Sequence, residues 1–168
     1  SPYVDLPKRL TVGENLLVFA DLYGLRRPRE RIAAVAEDCD LGDLLQRPYG
    51  NLSAGQRTRV SLAKAVLNEP EVLLLDEPTA SLDPDVGDRM RTYLERYQRR
   101  TGCTMLLASH NMGEVERLCD DVIMLRAGVV VDQGSPRALI ARYGRENMEQ
   151  VFLDIARGGA GEERIAGA

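Results

Sequence analysis

Glu71-Val-Leu-Leu-Leu-Asp76, continued by Glu77-Pro78-Thr79, is the stretch that decides the fold. Four consecutive apolar residues ending in two carboxylates read as a strand buried on both faces of a parallel sheet. Adjacent carboxylates at such a place are expensive to hold without a partner. A plain structural account has Asp76 capping a turn and Glu77 solvated. The chemical account has one carboxylate orienting Mg2+, directly or through its waters, and the other polarising an attacking water.

Downstream, Asp83-Pro84 forms an N-cap and N1 pair for a helix carrying Val86, Met90, Tyr93, Leu94 and Tyr97 on one face, ended by Gly102. Cys103 to Ser109 is a second apolar run, followed by a short helix with Met112, Val115 and Leu118. Val122 to Leu125 and Val129 to Val131 read as strands around a turn at Ala127-Gly128. Ser135-Pro136 starts a helix that Gly144 stops, and Met148, Val151, Phe152 and Ile155 mark a last amphipathic helix.

Upstream the chain reads as helical. Thr11 and Glu14 stand at capping-box spacing before a helix through Tyr23. Pro28 opens a second helix with Ile32, Val35, Ala36 and Cys39 in phase, and Leu41 to Gln46 is a short third piece. Ser53 and Gln56 form another capping-box pair, for a helix running to about Asn68 before Pro70.

Strand-helix-strand alternation from 71 to 125 implies crossovers and a parallel sheet, in which ligands bind at the carboxyl ends of the strands. Asp76-Glu77 and Ser109-His110 end two successive strands, so their chemistry is expected to converge. His110 is the only histidine. A lone histidine is commonly structural, but from a strand end its imidazole can reach a phosphate oxygen or an attacking water. The helix starting at Ser53 offers backbone N–H groups and a positive dipole end to an anion. Gly55 permits close approach there, and the Ser53 hydroxyl and Gln56 amide add donors. An ordinary capped helix is the alternative.

Taken together, Asn51-Leu-Ser-Ala-Gly-Gln-Arg57, Val72-Leu-Leu-Leu-Asp-Glu-Pro-Thr79, Ser81-Leu-Asp-Pro84 and Ser109-His110 resemble the second half of an ATP-binding cassette (ABC) transporter ATPase, in that family's order and spacing. The resemblance spans about Leu10 to Gly134 and continues more loosely to Arg157. It implies a P-loop NTPase-type, RecA-like α/β fold with an incomplete parallel sheet and an α-helical signature subdomain. It also implies ATP and Mg2+ as cofactors, Asp76 as the Walker B aspartate holding Mg2+, and Glu77 as the residue activating the hydrolytic water. His110 matches the switch histidine contacting the γ-phosphate, and Asp83 the D-loop aspartate at the dimer seam. Ser53, Ala54, Gly55 and Gln56 match the signature that contacts ATP held by the opposite subunit. Ala54 departs from the commonest form, and its methyl group is a hindrance if φ there must be positive. The implied partners are a second cassette and a membrane permease. Thr11-Val-Gly-Glu-Asn-Leu16 and Glu146-Asn-Met-Glu-Gln-Val-Phe152 look similar to exporter-type (ABC-2-like) cassettes with a separate permease.

Two motifs of that family, the P-loop and the Q-loop, have no match. A P-loop needs G-x-x-x-x-G-K-[ST], yet the only lysines, Lys8 and Lys64, follow Pro7 and Ala63. No glutamine is identified for the Q-loop either. The 168 residues therefore read as the carboxyl-terminal part of a cassette. The expected division is a helical subdomain over 1–68, the end of the α/β core over 69–134, C-terminal helices over 135–157 and a disordered tail over 158–168. Strands 72–75 and 104–108 are expected to lose packing partners. A different class of function is a non-catalytic fragment donating its signature and D-loop to a complete cassette in trans. A third reading is a family member of translation or DNA repair. The segment 11–50 has no room for the coiled-coil insertion of the repair type.

Composition agrees with a folded protein: 44% hydrophobic and 29% charged residues. With 22 Lys+Arg against 26 Asp+Glu the net charge is −4, which gives no electrostatic reason to expect nucleic acid as a partner. Three widely spaced cysteines in no Cys/His cluster suit a reducing compartment. No apolar run approaches the roughly 18 residues of a membrane helix, so the expected location is cytoplasmic, peripheral on the membrane through the permease.

Overall fold

A computed structural model describes residues 6–157. The opening Ser1-Pro2-Tyr3 and the tail 158–168 lie outside the described residues. The chain forms two compact units that divide between Ala108 and Ser109.

The first unit begins with three helices. Helix α1 (Val12–Leu22) starts on a complete box: the Thr11 hydroxyl accepts the Glu14 N–H, and Glu14 accepts the Thr11 N–H at 2.7 Å. Its buried Asn15 donates to the carbonyls of Pro7 and Thr11, at 3.1 and 3.0 Å, and so ties down the entering chain. Helix α2 (Pro28–Asp38) buries Ile32, Val35 and Ala36, and Cys39 behind it is also buried. The third helical piece is a single 3-10 turn at Gly42–Leu44, and a second such turn follows at Tyr49–Asn51. Helix α3 (Ala54–Val66) packs with α1 and α2. Arg31 of α2 caps its far end, donating Nε to the Leu67 carbonyl and Nη2 to that of Val66 at 2.9 and 2.7 Å.

Strand β1 (Val72–Asp76) and strand β2 (Thr104–Ala108) pair in parallel, with Val72 opposite Thr104 and Asp76 opposite Ala108. Helix α4 (Pro84–Thr101) crosses between them and buries Met90, Tyr93, Leu94 and Tyr97. The expectation that β1 is buried on both faces is corrected. Leu73 and Leu75 are buried on one face, while Val72 and Leu74 on the other are 59% and 68% exposed. Side chains alternate along a strand, so an apolar run makes both faces apolar whether or not both are covered.

The second unit holds helix α5 (Met112–Leu118), strands β3 (Val122–Arg126) and β4 (Val129–Gly134), and helices α6 (Pro136–Tyr143) and α7 (Met148–Ala156). Its core is Met112, Val115, Met124, Leu139, Met148, Val151 and Ile155. Phe152, expected on the apolar face of α7, is 39% exposed. Parallel pairing was expected to extend through β3. Among the described residues it joins β1 and β2, while β3 and β4 form the antiparallel hairpin read from the turn at Ala127-Gly128. Ala127 and Gly128 both take positive φ, 50° and 80°, the geometry of a tight two-residue hairpin turn.

Candidate functional site

The N-terminus of α3 is built from its own sequence. Ser53 is the N-cap, in extended conformation; its hydroxyl accepts the Gln56 N–H at 3.2 Å, and Gln56 Oε1 accepts the Ser53 N–H at 3.0 Å. The Gln56 carbonyl oxygen is thus held inside the cap. The Ser53 hydroxyl proton and the backbone N–H groups of Ala54 and Gly55 are the donors a ligand would meet at this end. Ala54 is the first helical residue and is not among the positive-φ residues, so its methyl group meets no conformational objection. Arg57 secures the approach: Nη2 donates to the Gly50 carbonyl at 2.9 Å, and the guanidinium lies 5.5 Å from the centre of the Tyr49 ring.

Gly55 is required by its own unit. A Cβ there would lie 2.8 Å from the Ser81 carbonyl oxygen, closer than real side chains approach. One turn on, Thr58 Oγ1 and Ser81 Oγ are 2.6 Å apart, a hydrogen bond across 23 positions of sequence. The segment before α4 therefore lies against the first turn of α3.

Asp76 ends β1, exposed, opposite Ala108. Glu77 carries the ladder one step further, its N–H donating to the Ala108 carbonyl at 2.9 Å. Its φ is 49°, a left-handed backbone that is uncommon outside glycine and that clusters at functional sites. The Ala80 N–H closes a turn onto the Glu77 carbonyl, and the Leu82 N–H another onto that of Thr79. Asp83 holds the N-cap position of α4, but its side chain makes no cap hydrogen bond, which departs from the capping expectation.

His110 is exposed and belongs to the second unit, two residues beyond Ala108. The first unit holds Ser53, Ala54, Gly55, Gln56, Asp76, Glu77 and Asp83. Arg57, Thr58 and Ser81 were given no role by sequence reasoning. Their partners are backbone atoms, rings or side chains outside any motif spacing.

As a donor set for a divalent cation, Asp76 is a hard oxygen ligand on a strand end. Among the described residues no cluster of three or more His, Cys, Asp and Glu could hold a metal. One carboxylate fits Mg2+, which takes one or two carboxylates together with phosphate oxygens and waters.

Comparison with known proteins defines the class. The dimeric ATP-binding cassette MJ0796, solved in a post-hydrolysis state bound to ADP and Pi, superposes with a TM-score of 0.71 at 25% identity, over 78% of this chain and 59% of that one. The fold is that of an ATP-binding cassette, a P-loop NTPase-type α/β architecture. The family described as "ABC transporter" matches residues 3–80. The ABC transporter ATP-binding protein NatA of Bacillus subtilis (strain 168) is 35% identical over 153 residues, 89% of this chain and 62% of its own length. The Nod factor export ATP-binding protein I of Rhizobium sp. (strain N33) is 39% identical over 145 residues, 83% and 46% respectively. The chain belongs to the ABC transporter ATP-binding family, and it spans 46–62% of the length of these two relatives.

Proposed function

We propose that these residues work as the signature-bearing, water-activating part of a transporter's ATP-hydrolysing subunit. The observation that carries this is the end of β1, where Asp76 and Glu77 leave a parallel strand side by side and Glu77 is held in a left-handed backbone. Within the reading, Asp76 holds Mg2+ directly or through water, and Glu77 takes the proton of the water that attacks the γ-phosphorus. When bound, Mg2+ supplies charge neutralisation on the phosphate oxygens. His110 contacts the γ-phosphate. Ser53, Ala54, Gly55 and Gln56 present the N-terminus of α3 to ATP held by a second cassette, and Asp83 lies at the seam between the two. A permease is the membrane partner, export is the direction, and the cytoplasmic face of the membrane is the location. The exporter-like segments 11–16 and 146–152 support that direction.

The test is Glu77→Gln in the full-length protein. It keeps nucleotide binding, measured by equilibrium dialysis, and lowers turnover by at least about 100-fold, since a positioned general base contributes 10²–10⁴. Undiminished turnover removes Glu77 from the role of base.

A further inference from the structure

Glu114 is the one carboxylate among the described residues that is buried, with 1% of its surface exposed. It stands in the first turn of α5, a position where a carboxylate ordinarily stays in water and interacts with the helix end. Burial of such a group demands hydrogen-bonding partners. Its Oε2 accepts the Ser109 hydroxyl at 2.6 Å, the short distance of a charge-assisted O–H···O bond. The same Ser109 Oγ accepts the Asn111 N–H at 3.1 Å. The Glu114 N–H in turn donates to Asn111 Oδ1 at 3.2 Å.

These bonds make a capping box with a hydroxyl inserted in it. At α1 and α3 the third helical residue reaches the N-cap N–H directly, Glu14 to Thr11 and Gln56 to Ser53. At α5 the link runs from the Asn111 N–H to Ser109 Oγ, and from that hydroxyl to Glu114. A plain box would have closed around Asn111 alone. The inserted hydroxyl brings in Ser109, and the two residues clamped by Glu114 are the neighbours of His110 on either side.

We infer that Glu114 is a positioning residue for His110: its buried carboxylate fixes Ser109 through the hydroxyl and Asn111 through its own N–H, and so sets the backbone from which the imidazole projects. The inference rests on the reading of His110 as a γ-phosphate contact, and the hydrogen-bond chain itself is independent of that reading. A residue that merely capped α5 would stabilise the helix without governing its neighbour's imidazole.

The experiment uses the full-length protein with 15N-labelled histidine, the His110 signals being assigned by their loss in His110→Gln. Ser109→Ala and Glu114→Ala are expected to shift or broaden those signals and to lower kcat by about 10- to 100-fold, with the KM for ATP within about twofold. Glu114→Gln, whose amide oxygen still accepts the Ser109 hydroxyl, is expected to restore both to within about threefold of wild type. In the double variant Glu114→Ala/His110→Ala, turnover should be no lower than in His110→Ala alone, since the carboxylate then has nothing left to position. Should Glu114→Ala fail to fold, Ser109→Ala and Glu114→Gln still decide. Unmoved imidazole signals in Ser109→Ala, or additive losses in the double variant, overturn the inference. Signals that move while His110→Ala leaves turnover unchanged keep the positioning role and overturn the γ-phosphate reading instead.

Discussion

Cys39 shows how far a single side chain departs from its solution chemistry. It is wholly buried, and burial pushes its thiol from the usual 9.0 up to about 12; Asp38 reinforces this, while Arg59 and Arg31 oppose it. Tyr93 is raised as well, by burial first and then by Cys39. Both native groups keep their protons where the unfolded chain releases them, so stability is fully present below pH 9 and falls as pH rises towards 12. Melting temperatures taken between pH 8 and 11 are therefore expected to fall with pH, and Cys39→Ala should flatten that fall. An unchanged slope in the variant would separate the thiol from the transition. The buried face carrying Cys39 was legible as helical periodicity, and the candidate residues from Ser53 to His110 were legible as motifs. Ser81 against Gly55 was not, because a contact across that separation exists only once α3 and the strand are folded. Glu114 was missed for a related reason: a carboxylate in a first helical turn reads as solvated until its burial is known.

At the scale of elements, the close approach at α3 separates two glycines that look alike in sequence. Gly55→Ala drives a methyl group onto the Ser81 carbonyl, whereas at Gly113 in α5 the nearest atom to an added Cβ is Asn111 Oδ1, at 3.4 Å. The first is expected to cost about 1–3 kcal/mol through overpacking. The second is neutral, or stabilising by up to about 1 kcal/mol, because alanine favours helix. Chemical denaturation of the two variants checks this contrast, and equal midpoints would contradict it. The starts of helices were readable because caps are local: Thr11 with Glu14, Ser53 with Gln56, and Ser135, whose hydroxyl accepts the Ala138 N–H at 3.2 Å. Strand partnership was less so. The hairpin of 122–125 with 129–131 was legible from the turn at Ala127-Gly128, whereas the parallel pairing expected to run on to 122–125 is made by β1 and β2, since a strand signal by itself names no partner.

Across the whole molecule, the apolar surface is unevenly covered. Val72, Leu74 and Leu106 lie exposed on the parallel pair, and Ile123, Leu125, Val129 and Val130 on the hairpin. Among the described residues no helix is long and apolar enough to cross a membrane. Exposed apolar strands of this kind bind solvatochromic dyes. Leu74→Thr combined with Leu106→Thr, which keeps strand-favouring residues at both positions, is expected to lower anilinonaphthalene sulfonate fluorescence by about half while leaving the far-ultraviolet circular dichroism unchanged. Equal fluorescence would place the dye elsewhere. The expected loss of packing around 72–75 and 104–108 agrees with these exposures, while the fully apolar reading of β1 could not distinguish a covered face from a bare one. The turn at Ala127-Gly128 also bears on the order in which the chain acquires structure. Its two residues close the shortest loop a strand pair can have, so β3 and β4 can zip together in about 1–10 μs. Pairing of β1 with β2 waits on the 18 residues of α4 to be formed and folded back between them, which makes the hairpin the early event and the strand that bears Asp76 the late one.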